Sequence, residues 1–198
     1  MDSRQELILT YIIEEYIKTA EPVGSKFLLE TFDLPVSAAT IRNDMARLEH
    51  EGYLVSPHAS AGRVPTEKAY LYYLREHVKR DAPKKVSPLS PPVPSDRDVA
   101  PSLKRLARGL VEASGEMAVL TSTPSLLYYT GVTNLFEKPD FQDQSCVHDL
   151  SLFLDRLDEA MVALTDSVPE HEPIVMIGTQ NPLGDVFSAI VIRYRLPY

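Results

Sequence analysis

Six prolines fall between Ala82 and Ser102, at Pro83, Pro88, Pro91, Pro92, Pro94 and Pro101, with serines among them. Proline lacks a backbone N–H and fixes φ, so neither a helix nor a sheet ladder is expected to propagate through this stretch. The chain is therefore expected to fold as two bodies, residues 1–80 and 103–198, with residues 81–102 as a Pro-rich linker. A rigid polyproline ligand for another protein is the other use of such a stretch. A length of 198 residues suffices for two small domains, and a hydrophobic content of 44% is that of an ordinary globular protein.

Within the first body the segment Val36 to Leu54 predicts a helix with two unlike faces. Ser37 is a good N-cap and Gly52 a good stop, since glycine takes a left-handed conformation without a Cβ clash. Ile41, Met45 and Leu48 recur at i, i+4 and i+7 and must face a core. The opposite face carries Ala39, Thr40, Arg42, Asn43, Ala46 and Arg47. Small residues let a helix sink into the DNA major groove, while Arg and Asn fit guanine and adenine edges.

The neighbouring segments complete a helix-turn-helix pattern. Leu9, Ile12, Ile13, Tyr16 and Ile17 form an earlier helical stripe that ends before Ala20-Glu21-Pro22-Val23-Gly24. A second helix is expected from Ser25, carrying Phe27, Leu28 and Leu29, up to the break at Asp33-Leu34-Pro35. After the two-faced helix, Tyr53-Leu54-Val55 reads as a strand and Ser56 to Pro65 as a loop, together a wing. That loop can lay His58, Ser60, the Gly62 backbone and Arg63 on phosphates or in the minor groove. Thr66 caps a fourth helix with the stripe Tyr70, Tyr73, Leu74, His77 and Val78.

The formal charge of −8 is the main objection to DNA binding, since nucleic-acid binders are often basic. Residues 1–80 hold ten basic against twelve acidic side chains, whereas Thr40 to Arg80 hold seven against five. The positive charge is local.

The second body predicts an α+β arrangement with a sheet covered on one side. Leu103, Leu106, Ala107, Leu110 and Val111 share a helical face. Met117 to Thr121, Leu126 to Tyr129, Ile174 to Ile177 and Val186 to Tyr194 are strand candidates, and a long helix is expected from Val147 to Leu164.

Four strings in the first body, Glu14-Glu15-Tyr16-Ile17, Glu21 to Lys26, Ala39 to Met45 and Pro57 to Thr66, resemble the DNA-binding domain of the heat-inducible transcription repressor family HrcA. The resemblance resumes weakly at Leu106, more strongly at Gly131 to Phe141, and again at Ile177 to Leu183. It implies a winged helix-turn-helix over 1–80 and a GAF-like regulatory and dimerisation domain over 103–198. It further implies a dimeric repressor that binds an inverted-repeat operator upstream of chaperone genes, with a GroEL-type chaperonin as a further partner. Ser25, Lys26 and Ser37 join Ala39, Thr40, Arg42, Asn43, Arg47, His58, Ser60, Gly62 and Arg63 as the candidate DNA-contacting set. Only Ser122 to Thr130 stand where many relatives insert a dimerisation subdomain, so the resemblance is to a short form. Relatives continue beyond Arg193 to Pro197 into another strand and helix, which implies an incomplete GAF-like domain here.

Enzymatic readings find no inventory. His50, His58, His77, His148 and His171 lie at no metal-ligand spacing, no cysteine pair supports them, and no nucleotide-binding glycine loop is present. No catalytic residue, metal or cofactor is expected. His77 is expected to pack at the rim of the fourth helix, Glu14-Glu15 to form a solvated face, and Cys146 to be a small buried residue. No apolar run approaches the roughly 18 to 20 residues of a membrane span, and no signal-peptide core follows Met1, which predicts a cytoplasmic protein. The competing reading makes residues 103–198 a protein-interaction or ligand-sensing module with the first body as a scaffold. Asn134, Phe136, Pro139 and Phe141 would then mark its binding loop, although such residues more often pin a structural turn.

Overall fold

Asp2 starts the first helix. Its carboxylate accepts from the amides of Arg4 and Gln5 at 3.0 and 2.9 Å, while the Gln5 side chain accepts from the Asp2 amide, a reciprocal cap. The amide of Gln5 holds the Asp2 carboxyl below the usual carboxylate range. In the computed structural model, which describes residues 1–32, 34–58, 61–77, 99–123, 126–184 and 187–194, the chain forms two compact units, Met1–Ala82 and Pro83–Tyr198.

The first unit runs α1 (Ser3–Thr19), α2 (Ser25–Phe32), α3 (Ala38–His50), β1 (Leu54–Val55), β2 (Val64–Pro65) and α4 (Glu67–Glu76). The two strands pair antiparallel, Leu54 with Pro65 and Val55 with Val64. Ile8, Leu9, Ile12 and Ile13 of α1 meet Leu28, Leu34, Ile41, Met45, Leu48, Leu54 and Ala69 in one core. Tyr11 stacks on Phe32 with ring centroids 3.9 Å apart. The expected stripe of α1 is shifted toward its N-terminal half, because Ile17 is 56% exposed while Ile8 is fully buried. Along α4 only Ala69 is buried; Tyr70, Tyr72 and Tyr73 are partly buried against the core, and Val78 lies outside the described residues.

The second unit runs α5 (Val99–Ser114), β3 (Ala118–Thr123), β4 (Leu126–Thr130), α6 (Val132–Phe136), a 3₁₀ turn (Pro139–Gln142), α7 (Gln144–Asp155), α8 (Leu157–Ser167), β5 (Ile174–Met176), a second 3₁₀ turn (Gly178–Gln180) and β6 (Ala189–Val191). Four expectations are corrected. The linker was expected to reach Ser102, but α5 begins at Val99 and takes Pro101 into its first turn, where a missing N–H costs no intrahelical bond. The helix expected over 147–164 is two helices. Arg156 leaves the helical conformation at φ −116° and ψ 16°, and its amide closes a tightened turn on the Phe153 carbonyl at 3.1 Å. In place of one sheet there are two separate antiparallel pairs, β3 with β4 and β5 with β6, among the described residues. The last strand is also shorter than expected, and Val186 lies outside the described residues.

Gly131 is closely packed. Its φ is +87°, and a Cβ there would come within 2.9 Å of the Glu116 carbonyl oxygen and of Val111. Leu164, Val168 and Met176 form a small buried cluster with Met161, Ile174, Leu183 and Val191 around it. Buried Asn181 ties the following loop together, donating to the Phe187 carbonyl at 2.7 Å and accepting from the Leu183 amide at 3.0 Å. Asn134 and Pro139 lie in short helical turns, and Phe136 meets Phe141 edge to face at 5.6 Å, so this segment is a pinned turn.

Candidate nucleic-acid interface

The two faces of α3 follow from its cap. Ser37 is extended, at φ −76° and ψ 155°, and its hydroxyl oxygen accepts from the Thr40 amide at 3.1 Å, while the Thr40 hydroxyl lies 3.0 Å from it. That starting phase turns Ile41, Met45 and Leu48 inward and leaves Ala39, Arg42, Asn43, Ala46 and Arg47 exposed. Among the described residues, no hydrogen bond or ion pair engages the side chains of Arg42, Asn43 or Arg47. The face therefore presents two arginine donors and an asparagine that can both donate and accept, beside two alanines.

Asp44 departs from the expected apolar stripe. It is 2% exposed, and Arg4 of α1 clasps it with Nε to Oδ2 at 2.7 Å and Nη2 to Oδ1 at 3.2 Å. Two parallel charge-assisted bonds suit a guanidinium and a carboxylate, and the bond to Asp44 raises the Arg4 guanidinium further above its ordinary range. The signal was present in the sequence, since position 44 falls between Ile41 and Met45 on the inward face and a carboxylate there needs a cation.

Of the remaining candidates, Lys26 is exposed and lies 3.6 Å from Glu30 on the same helix, a surface pair that leaves the ammonium accessible. Ser25 is 8% exposed and opens α2. His58 is exposed, and its carbonyl accepts from the Ser56 hydroxyl and the Ala61 amide at 2.8 and 3.0 Å. Ser60 lies outside the described residues. Gly62 is pressed on the α1–α2 turn, where a Cβ would stand 2.4 Å from the Val23 carbonyl oxygen.

Arg63 stands differently from the phosphate contact expected of it. Its Nε and Nη2 both reach Glu49 Oε2 at 2.9 Å, and its Nη1 donates to Ser56 Oγ and to the carbonyls of Ala61 and Gly62 at 3.3 to 3.4 Å. Its backbone exchanges two hydrogen bonds of 2.9 Å with Val23. Sequence reasoning missed both partners, which lie 14 and 40 positions away.

Elsewhere in the first unit, His77 stacks on Tyr73 at 5.2 Å and its Nε2 lies 3.3 Å from Thr10 Oγ1, at the rim of α4. Glu14 is not merely solvated, for it accepts from the Tyr73 hydroxyl at 3.3 Å. Cys146, expected to be buried, is half-buried, and burial followed by nearby Asp143 pushes its thiol above the ordinary range, which disfavours the thiolate. Among the described residues no group of His, Cys, Asp or Glu could hold a metal ion, and no helix is long and apolar enough to cross a membrane.

Curated relatives carry one name. The chain is 48% identical over 132 residues to the heat-inducible transcription repressor HrcA of Bifidobacterium longum subsp. infantis, covering 63% of this chain and 34% of that protein. It is 62% identical over 69 residues to the repressor of the same name from Corynebacterium diphtheriae, covering 35% and 20%. It is 36% identical over 179 residues to that of Mycolicibacterium smegmatis, covering 86% and 50%. The chain belongs to the HrcA family. It spans half or less of the length of these HrcA relatives. No family model matches it. A solved structure described as a hypothetical protein is 44% identical over 42% of this chain and 27% of that one, with a TM-score of 0.39. Two of the four strings that resemble HrcA meet in space, since the Val23–Arg63 bridge joins the turn before α2 to the loop before β2.

Proposed function

We propose that this chain is a sequence-specific, DNA-binding transcriptional repressor of heat-shock genes. Its first unit acts as a winged helix-turn-helix, with α3 entering the major groove and the β1–β2 loop as the wing. The observation that carries the reading is the outward, unengaged cluster of Arg42, Asn43 and Arg47 beside Ala39 and Ala46, opposite a fully buried Ile41 and Leu48. The names of its relatives supply the regulated process. The reading extends to a cytoplasmic, non-enzymatic protein that pairs as a homodimer on an inverted-repeat operator. Residues 103–198 act as a GAF-like regulatory half, and a GroEL-type chaperonin is a further partner. Repression follows from occlusion, because a protein seated in two successive major grooves excludes polymerase.

Fluorescence anisotropy tests it. The chain is offered an inverted-repeat duplex, selected by the protein from a randomised pool, beside a scrambled duplex at low and moderate salt. Preference for the selected duplex, with affinity falling steeply as salt rises, is the expected result. Equal binding to both duplexes, or none, favours the interaction-module reading of residues 103–198.

A further inference from the structure

We propose that Arg63 is a positioning residue for sequence recognition: its pair with Glu49 clamps the β1–β2 loop and the α1–α2 turn to the reading helix. The inference rests on the DNA-binding reading above and specifies how its parts are held in register. Glu49 lies on α3 two positions beyond Arg47, on the shoulder between the buried and exposed faces, and is half-buried. Arg63 reaches it with two nitrogens and turns its third to Ser56, Ala61 and Gly62 within the loop, so each guanidinium nitrogen donates inside the protein. The same residue's N–H and C=O are both bonded to Val23, two residues before α2. One residue thus joins three segments by polar contacts: the turn that sets α2, the C-terminal half of α3, and the loop that carries His58. Gly62 allows the close approach, since any Cβ would strike the Val23 carbonyl. A phosphate contact by Arg63 would have to share the guanidinium with this network.

The two roles predict opposite results from one set of variants of the full chain, R63Q, E49Q and the double substitution. Glu49→Gln removes a negative charge near a polyanion, so simple electrostatics predicts equal or tighter binding. Positioning predicts that E49Q and R63Q each reduce the ratio of affinities for selected over scrambled duplex by about fivefold or more, as a bidentate base contact falls out of line. The double substitution is then no worse than the poorer single one, as befits two halves of one contact. The slope of log affinity against log salt stays unchanged in both. A slope flattened by about one unit in R63Q, with E49Q unaffected or tighter, places Arg63 on a phosphate and overturns the proposal.

Amide hydrogen exchange reads the clamp without DNA. Faster exchange at the Val23 and Arg63 amides in E49Q, with the thermal midpoint of the first unit little changed, supports the clamp; unaltered exchange at both overturns it. Should the wild-type chain prefer no duplex, the DNA-binding reading falls and this exchange result still decides the clamp. A purely structural role would lower the thermal midpoint and leave the affinity ratio untouched, which also overturns the proposal.

Discussion

In the proposed reading Arg42 and Asn43 are the side chains that touch bases, and their exposure separates that role from folding. Alanine at either position is expected to leave the thermal midpoint within experimental error and to cost about 1 to 3 kcal/mol in discrimination between selected and scrambled duplexes, the worth of one bidentate base contact. Anisotropy against both duplexes measures it, and equal weakening toward the two would show that the side chain touches only backbone. Gly62 and Gly24 make the opposite kind of test, because an added Cβ meets very different surroundings at the two positions. A Cβ on Gly62 meets the Val23 carbonyl carbon and oxygen at 2.5 and 2.4 Å, backbone atoms that cannot swing away, whereas one on Gly24 meets nothing within 4 Å. Gly62→Ala is therefore expected to lower the stability of the first unit by about 1 to 3 kcal/mol, as overpacking does, and Gly24→Ala by much less. Paired urea titrations give the comparison. At this scale the sequence exposed what is local. Thr40, Arg42 and Asn43 could be placed by helical phase alone, whereas the fate of Arg63 depended on Glu49 and Val23, partners that no periodicity connects.

Two helix starts were legible from a chemical cap, at Ser37 and Thr66, while the equally chemical caps at Asp2 and Asp143 were not read. Ser37 and Thr66 each accept from the amide three residues on, at 3.1 and 3.4 Å, and Gly52 turns at φ +79° after α3. Ser37→Ala should accordingly cost about 1 kcal/mol, the usual worth of an N-cap, and because Ser37 sets the first turn of the reading helix the loss should fall on exchange protection at Thr40 and Ile41. The break at Arg156 had no such signal, since no proline or glycine stands there and the apolar residues continue on both sides. Packing of α4 on α1 supplies a pH dependence. Burial, and then the nearby Glu6 carboxylate, push the Tyr72 hydroxyl above the ordinary tyrosine range. A pKa raised by folding means that the stabilisation is complete below the unfolded value of about 10 and is lost as pH climbs through the higher folded value. The thermal midpoint of the first unit is expected to fall above about pH 10, and Tyr72→Phe to flatten that decline by removing the ionisable hydroxyl. An equally steep decline in the variant would assign the effect to other groups.

On the scale of the whole chain, the two units differ in how much apolar surface they bury. Among the described residues the first buries twelve apolar side chains and the second six, Ala107, Leu150, Leu157, Leu164, Val168 and Met176. In the second unit Val175 and Ile190 are opposed across the β5–β6 pair yet are 46% and 75% exposed, so the ribbon gains little from its outer face. The expectation of two bodies came from the prolines, which act on backbone geometry alone. The pairing of the strands was not legible, since short apolar runs do not specify their partners. Unequal burial carries a thermal consequence. Since apolar burial is the main favourable term opposing chain entropy, the second unit should melt at the lower temperature. Calorimetry of the full chain is expected to resolve two transitions, and core truncations to assign them. Leu164→Ala, at about 2 to 5 kcal/mol for a buried leucine, should lower the first transition and spare the second, whereas Leu48→Ala should do the reverse. For a repressor released by heat, loss of the less stable half before the DNA-reading half would supply the trigger, with α3 intact and ready to rebind on cooling. A single transition shifted by both truncations would mean that the units unfold together, and a first transition that answers only to Leu48→Ala would mean that the first unit is the less stable one.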